Sequence, residues 1–196
     1  MRYSDHNMMH LESVDHLTDE AFMDLCQTHS TMRLERTANG EVVAMSPSGF
    51  RSSTRILKLI KQLEDWNDQA LLGELSESSA GFRLPNSAIR SPDVAWVEKS
   101  RIESISPEAQ EQFVQLCPDF VAEIASPSDD REALRTKMRE YISQGARLGW
   151  LIDPFQREVE IYRPGIEVEL LGRPSTLSGE DVLPGLVVDL SKILNG

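Results

Sequence analysis

The stretch FVAEIASPSDD, residues 120–130, decides how this chain is read. Its first half alternates as a strand does. Val121, Glu123 and Ala125 fall on one face, and Phe120, Ala122 and Ile124 on the other. Apolar residues on both faces mark a central strand covered on both sides. Its second half is a polar turn in front of a helical pattern at 130–144 that stops at Gly145. Ser126 and Ser128, with Asp129, are the expected caps of that helix. The anomaly is Glu123, an acid inside a segment that otherwise reads as core. A buried carboxylate must pair with a cation, accept hydrogen bonds, protonate or bind a metal, because an unpaired one is costly.

Downstream, RLGWLID (147–153) reads as a strand, DPFQ as a turn and REVEIYRP (157–164) as the hairpin partner. The tail holds one or two more short strands and a small helix near 190–194. Upstream lie a polar helical excursion at 98–116, with Pro107 at a helix start, and short strands near 72–77, 80–84 and 92–97. A helix from about Arg51 to Gln69 carries Ile56, Ile60 and Leu63 at helical spacing, with Leu59 and Trp66 extending the face. Ser46-Pro47-Ser48-Gly49 breaks the chain before it. MRLERT and EVVAM form a hairpin about Asn39-Gly40. Residues 18–29 form a short helix with Thr18 as N-cap. This order implies an α/β fold with a mixed central β-sheet flanked by helices, plus an extra N-terminal hairpin and extra C-terminal strands. The expected organisation is a helical appendage over residues 1–30 and one domain over 31–196.

Composition narrows the function. The 196 residues can bury one good core, and 40% apolar with 27% charged is ordinary for a soluble protein. No apolar run approaches the ~18 residues of a membrane span, and the polar start lacks a signal-peptide core. Cys26 and Cys117 are isolated, which suits a reducing cytoplasm and gives zinc no support. The net charge of −12 disfavours indiscriminate binding to nucleic acid but leaves room for a local basic patch or metal ions. All four histidines lie within residues 6–29, and no GxSxG or P-loop motif occurs, which argues against serine hydrolases and NTPases.

A second acid breaks another apolar pattern. In PDVAWV (92–97), Asp93 shares a face with Ala95 and Val97. Either acid could be a strand-end carboxylate tied down by backbone amides or an arginine. If the two strands are neighbours, the pair, a backbone carbonyl and waters make an all-oxygen site of the kind Mg²⁺ prefers and Mn²⁺ accepts. At about 100° per residue, Leu134, Met138, Tyr141 and Ile142 form the apolar stripe of the helix at 130–144. Lys137 falls on its edge beside Tyr141, with Arg135 and Arg139 further round. That lysine either snorkels to the surface or buries its stem and projects its ammonium along the sheet.

The combination resembles the PD-(D/E)XK nuclease plan. It is most similar to the Uma2 family, also known as DUF820, grouped with the restriction endonucleases of that superfamily. The resemblance runs from about Arg33 to Leu190. It rests on MSPSG (45–49), GFRLP (81–85), RSPDVAWV (90–97), CPDFVAEIASPSD (117–129), KMREYISQGARLGWLIDP (137–154), VEIYRP (159–164) and LSGEDVLPGL (177–186). It implies a restriction-endonuclease-like core in which Asp93 and Glu123 are metal ligands and the Ile124 carbonyl completes the protein set. The usual lysine of the plan would sit at 125, where this chain has alanine. The resemblance moves it to the following helix, as Lys137, with Tyr141 positioning it. Nucleases of this broad fold are often assisted by an acid before the first long helix, for which Glu35 and Glu41 are the candidates. The histidine that some relatives carry after the Ser-Pro segment is absent, the positions being Phe50 and Arg51.

The implied function is a Mg²⁺-dependent (or Mn²⁺-dependent) endonuclease acting on nucleic acid, with DNA as the expected substrate, a homodimer as the expected assembly and the cytoplasm as the expected compartment. The competing reading is an inert binding or assembly protein on a nuclease scaffold, since fold alone does not decide function.

Overall fold

The computed structural model of the chain describes residues 8–11, 17–45 and 47–195. In chain order the elements are β1 (Met8–Leu11), α1 (Asp19–Thr28), β2 (Arg33–Arg36), β3 (Val42–Met45), α2 (Phe50–Ala70), β4 (Gly73–Glu77), β5 (Phe82–Arg83), β6 (Ile89–Arg90), β7 (Val94–Glu98), α3 (Lys99–Ile102), α4 (Pro107–Gln110), β8 (Phe120–Ile124), α5 (Arg131–Gln144), β9 (Leu148–Asp153), β10 (Glu158–Tyr162), β11 (Glu169–Gly172), β12 (Thr176–Ser178), β13 (Val187–Asp189) and α6 (Ser191–Leu194). They form a mixed α/β architecture. Among the described residues there is a six-stranded sheet in the order β11-β10-β9-β8-β7-β4, a five-stranded sheet in the order β1-β3-β2-β6-β5, and the β12-β13 pair.

The six-stranded sheet is antiparallel except at its centre, where β8 and β9 run parallel with α5 as the crossover. Strict alternation divides its side chains between two cores. Val94, Trp96, Phe120, Ala122, Ile124, Trp150 and Ile152 pack on one side with Leu59 and Leu63 of α2 and Ile193 of α6. Ala95, Val97, Val121 and Leu151 pack on the other with Met138 and Tyr141 of α5. The β7–β8 register pairs Val94 with Ala122. One residue further along, Asp93 lies opposite Glu123, and the pleat turns both toward α5.

The helix at the end of FVAEIASPSDD starts where expected, but its cap differs. The Asp130 side chain accepts from the N–H groups of Glu132 and Ala133. The N-cap residue is therefore Asp130 and not Ser126 or Ser128. They bond to each other, and Asp129 accepts from the Ser126 N–H. Asp130 is the residue immediately outside the helix, so its short carboxylate alone reaches the second and third N–H groups. Gly145 ends the helix with φ of 121°, a region that suits glycine.

Other expectations shift in detail. The stretch at 98–116 holds two four-residue helices, α3 and α4, separated by a turn, because it offers no apolar stripe to bury. The strand expected near 80–84 is the two-residue β5, and β6 is an additional two-residue strand that pairs with both β5 and β2. The tail forms three strands where one or two were expected. The N-terminal segment expected to be helical contributes β1, which pairs with β3, as well as α1. Phe22 of α1 is fully buried with Leu34, Val42 and Ile89. Ser46, the first residue of the expected chain break, lies outside the described residues, as do residues 1–7 and 12–16.

Candidate active site

Four elements carry the acids and the cations that meet. Asp93 sits at the entrance to β7, after Pro92. Its Oδ2 accepts from the Ile124 N–H at 2.9 Å, and Arg33 Nη1 stands 3.7 Å from Oδ1. Glu123 lies on β8 and Lys137 on α5, with Lys137 Nζ 2.8 Å from Glu123 Oε1. The same ammonium lies 2.7 Å from Oε1 of Glu35 on β2. All four are nearly inaccessible to solvent, so these bonds act at low dielectric.

The strand geometry also places Ile124. The Ala125 N–H donates to the Ile152 carbonyl on β9 at 2.9 Å. Odd-numbered residues here therefore face β9, and Ile124 faces the β7 side. Its N–H meets Asp93, and its carbonyl points the same way. Tyr141 is fully buried with its hydroxyl 3.4 Å from Glu123 Oε1, a long contact, and its ring centroid 5.9 Å from the Lys137 ammonium.

Of the two acids weighed before the long helix, the structure brings one to this point. Arg33 and Glu35 alternate on one face of β2, toward Asp93 and Lys137, whereas Leu34 packs on the α1 side. Glu41 is exposed in the loop before β3 and stands apart from the cluster. It pairs opposite Thr37 at the turn end of the hairpin, further along the strand than Glu35, and is exposed there.

Sequence reasoning assigned no role to Arg90. Its Nη1 donates to Glu35 Oε2 at 3.1 Å and its Nε to Glu140 Oε2 at 2.6 Å, while Asn86 donates to Glu140 Oε1 at 2.8 Å. Glu35 also accepts from the Ser91 N–H at 2.9 Å. A chain of charge thus runs Glu123, Lys137, Glu35, Arg90, Glu140. The available signal was the RSP that precedes Asp93, which places a cation three residues before the acid, but its partners come from β2 and α5. Replacing Arg90 by methionine is expected to destabilise the protein by about 3 kcal/mol, because it strands buried carboxylates. Arg90→Lys is expected to recover little of this, since one ammonium cannot span both acids. Equilibrium denaturation of the two variants checks it.

The charge balance separates the acids. Burial pushes the Glu123 carboxyl up to about 7; the Lys137 ammonium opposes that, and Asp93 and Glu35 add to it. Burial likewise raises Asp93, against the Ile124 N–H, Lys137 and Arg33. For Glu35 burial acts upward too, but Lys137, Arg90 and the Ser91 N–H outweigh it and hold the carboxyl below its ordinary value. Burial lowers Lys137, and its two carboxylate partners more than offset this. The Tyr141 hydroxyl is held well above its usual range, by burial first and then by the neighbouring acids. Glu35 is therefore the fixed counter-ion of Lys137, and Asp93 with Glu123 form an excess of buried negative charge.

That excess opens onto a cleft of about 790 Å³ between the two larger sheets and the N-terminus of α2. Among the described residues no group of three or more histidine, cysteine, aspartate or glutamate side chains is arranged to hold a metal ion. The donors that fit a cation are the two buried carboxylates and the Ile124 carbonyl. A hard divalent ion that keeps several waters suits so small a protein set.

A mixed sheet with an acid pair at the ends of two adjacent interior strands and a helix-borne lysine above it belongs to a nuclease-type α/β fold. The crystal structure of a "putative nuclease belonging to DUF820" from Anabaena variabilis matches with a TM-score of 0.71 at 20% identity, over 83% of this chain and 89% of that one. The chain belongs to the Uma2 family, whose model, described as "Putative restriction endonuclease", matches residues 19–191. No curated protein matches it. Among the described residues, no helix is long and apolar enough to cross a membrane.

Proposed function

We propose that the protein is a divalent-metal-dependent endonuclease that hydrolyses phosphodiester bonds in nucleic acid, with DNA as the substrate. The observation that carries this is the meeting of Asp93, Glu123 and Lys137 at one end of the cleft, on adjacent strands and the helix that crosses them. Asp93, Glu123 and the Ile124 carbonyl would hold Mg²⁺, or Mn²⁺ in its place. When bound, the ion supplies Lewis-acid polarisation of the phosphate and a more acidic water. Lys137 orients the attacking water or donates to a phosphoryl oxygen as negative charge develops there. Glu35 keeps that ammonium charged and in place, and Arg90 keeps Glu35 in place. Tyr141 walls the Lys137 stem on the core side. Cutting both strands of a duplex calls for two such sites, hence a homodimer, and the cytoplasm is the compartment that suits two free cysteines.

Incubation of the purified protein with Mg²⁺ or Mn²⁺ and mixed DNA and RNA substrates tests the proposal. Cleavage that persists in Asp93→Ala or Glu123→Ala protein would remove the residue assignment. The net charge of −12 supports a second reading, an inert binding or assembly protein on this scaffold. Calorimetry decides between them: no heat of Mg²⁺ or Mn²⁺ binding supports the inert reading, and binding lost in Glu123→Ala argues against it.

Metal binding is expected to depend on pH in a defined direction. With Glu123 titrating at about 7 in the free protein, a proton competes with the ion below that pH. Affinity should fall up to about tenfold per unit as pH drops below 7, and level off above it. Titrations between pH 5.5 and 8.5 read this directly, and a flat profile would contradict it.

A further inference from the structure

The proposed chemistry leaves the outer part of the cleft unexplained. Among the described residues, the exposed aromatic side chains are Phe50 and Phe155, at 87% and 46%. Both line the cleft that holds Asp93 and Glu123. The other described aromatics are buried or half-buried in the cores. Exposed apolar residues scattered over a surface need no explanation, but two rings that both face one polar cleft do.

Cations accompany these rings. Phe50 opens α2, followed by the exposed Arg51 on the cleft wall; Arg55, one turn on, is buried, and its Nε donates to the Ile193 carbonyl at 3.1 Å. The Arg55 guanidinium lies 5.4 Å from the Phe155 ring centroid, and that of Arg131 5.8 Å. Phe155 is fixed by its turn, where its N–H donates to Asp153 Oδ1 at 2.8 Å, and Asp153 in turn holds Arg131 at 2.6 Å. In a chain of net charge −12, the cations of this cleft that solvent reaches are the exposed Arg51 and the one-third exposed Arg33, while Arg131 lies outside its lining and pairs with Asp153.

Two exposed rings and the accessible guanidinium groups of Arg51 and Arg33 in one cleft match one ligand chemistry: a strand whose unstacked bases lie on the rings while its phosphates meet those cations. A duplex offers base edges in its grooves but not base faces. The cleft, at about 790 Å³, is also on the scale of small-molecule pockets, roughly 300–1,000 Å³. That admits one or two nucleotides, not the cross-section of a duplex. Resting on the nuclease reading above, we infer that the cleft takes unpaired nucleotides, from a single strand or extruded from a helix, with Phe50 and Phe155 as the stacking platforms that select them.

The test is binding, read apart from cleavage. Fluorescein-labelled oligothymidylate of about 20 nucleotides, long enough to fill such a groove, is titrated by anisotropy with Ca²⁺ in place of Mg²⁺, beside a duplex of equal length. The wild-type protein is expected to prefer the single strand. Phe50→Ala and Phe155→Ala should each weaken that binding roughly tenfold, and Phe50→Ala should leave the melting temperature unchanged, since that ring is solvent-exposed. Phe50→Trp should retain affinity, and its added fluorescence should be quenched by the strand, which a merely structural role would not produce. An oligouridylate arm distinguishes deoxyribose from ribose strands. Equal binding of strand and duplex, or alanine variants within twofold of wild type, would overturn the inference even if the protein cleaves DNA. Strand binding that depends on both rings, without cleavage under Mg²⁺ or Mn²⁺, would instead overturn the nuclease reading and leave the binding site standing.

Discussion

Replacing Glu123 by glutamine is expected to lower metal-dependent cleavage about a thousandfold or more without unfolding the protein. The carboxylate lies 2.8 Å from Lys137 and faces Asp93 across the β7–β8 register, so its loss removes a donor from the proposed ion. The stability effect should run the other way. The folded state raises this carboxyl from 4.5 to about 7, so it holds its proton more tightly than the unfolded chain does. The sign follows from linkage: a stability penalty builds up as pH rises from about 4.5 through 7 and persists above. Glutamine carries no such penalty, and Lys137 keeps Glu35 as its partner. The variant should therefore gain stability relative to wild type across that window. Paired thermal melts at pH 5 and pH 8, beside a cleavage assay, check both halves. An activity loss accompanied by a collapsed melt would show that Glu123 is structural.

Lys137→Met is expected to damage both properties. Activity should fall about a hundredfold to a thousandfold, as when one positioned donor is removed from a developing anion. Stability at neutral pH should fall by about 3–5 kcal/mol, because the change leaves Glu123 buried without an ion-pair partner. For a chain of this length that is a drop in Tm on the order of 10 °C. Glu35 suffers less, since Arg90 and the Ser91 N–H still hold it. Acidification protonates Glu123 and should narrow the deficit. The double variant Lys137→Met with Glu123→Gln should recover most of the stability and none of the activity. Denaturant titration of the four proteins in this cycle measures the coupling. A Lys137→Met protein as stable as wild type at neutral pH would mean that the two side chains do not share a buried charge.

How far the site was legible in sequence depends on the range of the contact. Asp93 and Glu123 stood out because each interrupts an apolar alternation, and alternation is a property of one strand. Lys137 was placed on the edge of its helix by periodicity alone, and the structure carries its ammonium to Glu123. Glu35 and Glu41 could not be separated that way. Both sit on a polar hairpin, and only the packing of β2 against the β7 entrance and α5 sends Glu35 inward. Arg90 was invisible for the same reason, since its partners Glu35 and Glu140 lie 55 and 50 residues away. The α5 cap was misplaced by local ambiguity, with three capping-type residues, Ser128, Asp129 and Asp130, in a row before the helix. The shortest strands escaped because two residues cannot establish a period.

The sequence by itself determined the central strand, the helix after it, the mixed α/β class and the two acids that interrupt apolar strands, since each follows from spacing within one element; the link from those acids to Lys137 came from the family resemblance. Only the tertiary structure decided that β7 and β8 are neighbours, that Asp93 faces Glu123, that Glu35 and Arg90 complete the charge chain, and that Phe50 and Phe155 share one cleft. Those facts depend on which elements pair and in what register, and that is settled by burying both faces of the sheet at once.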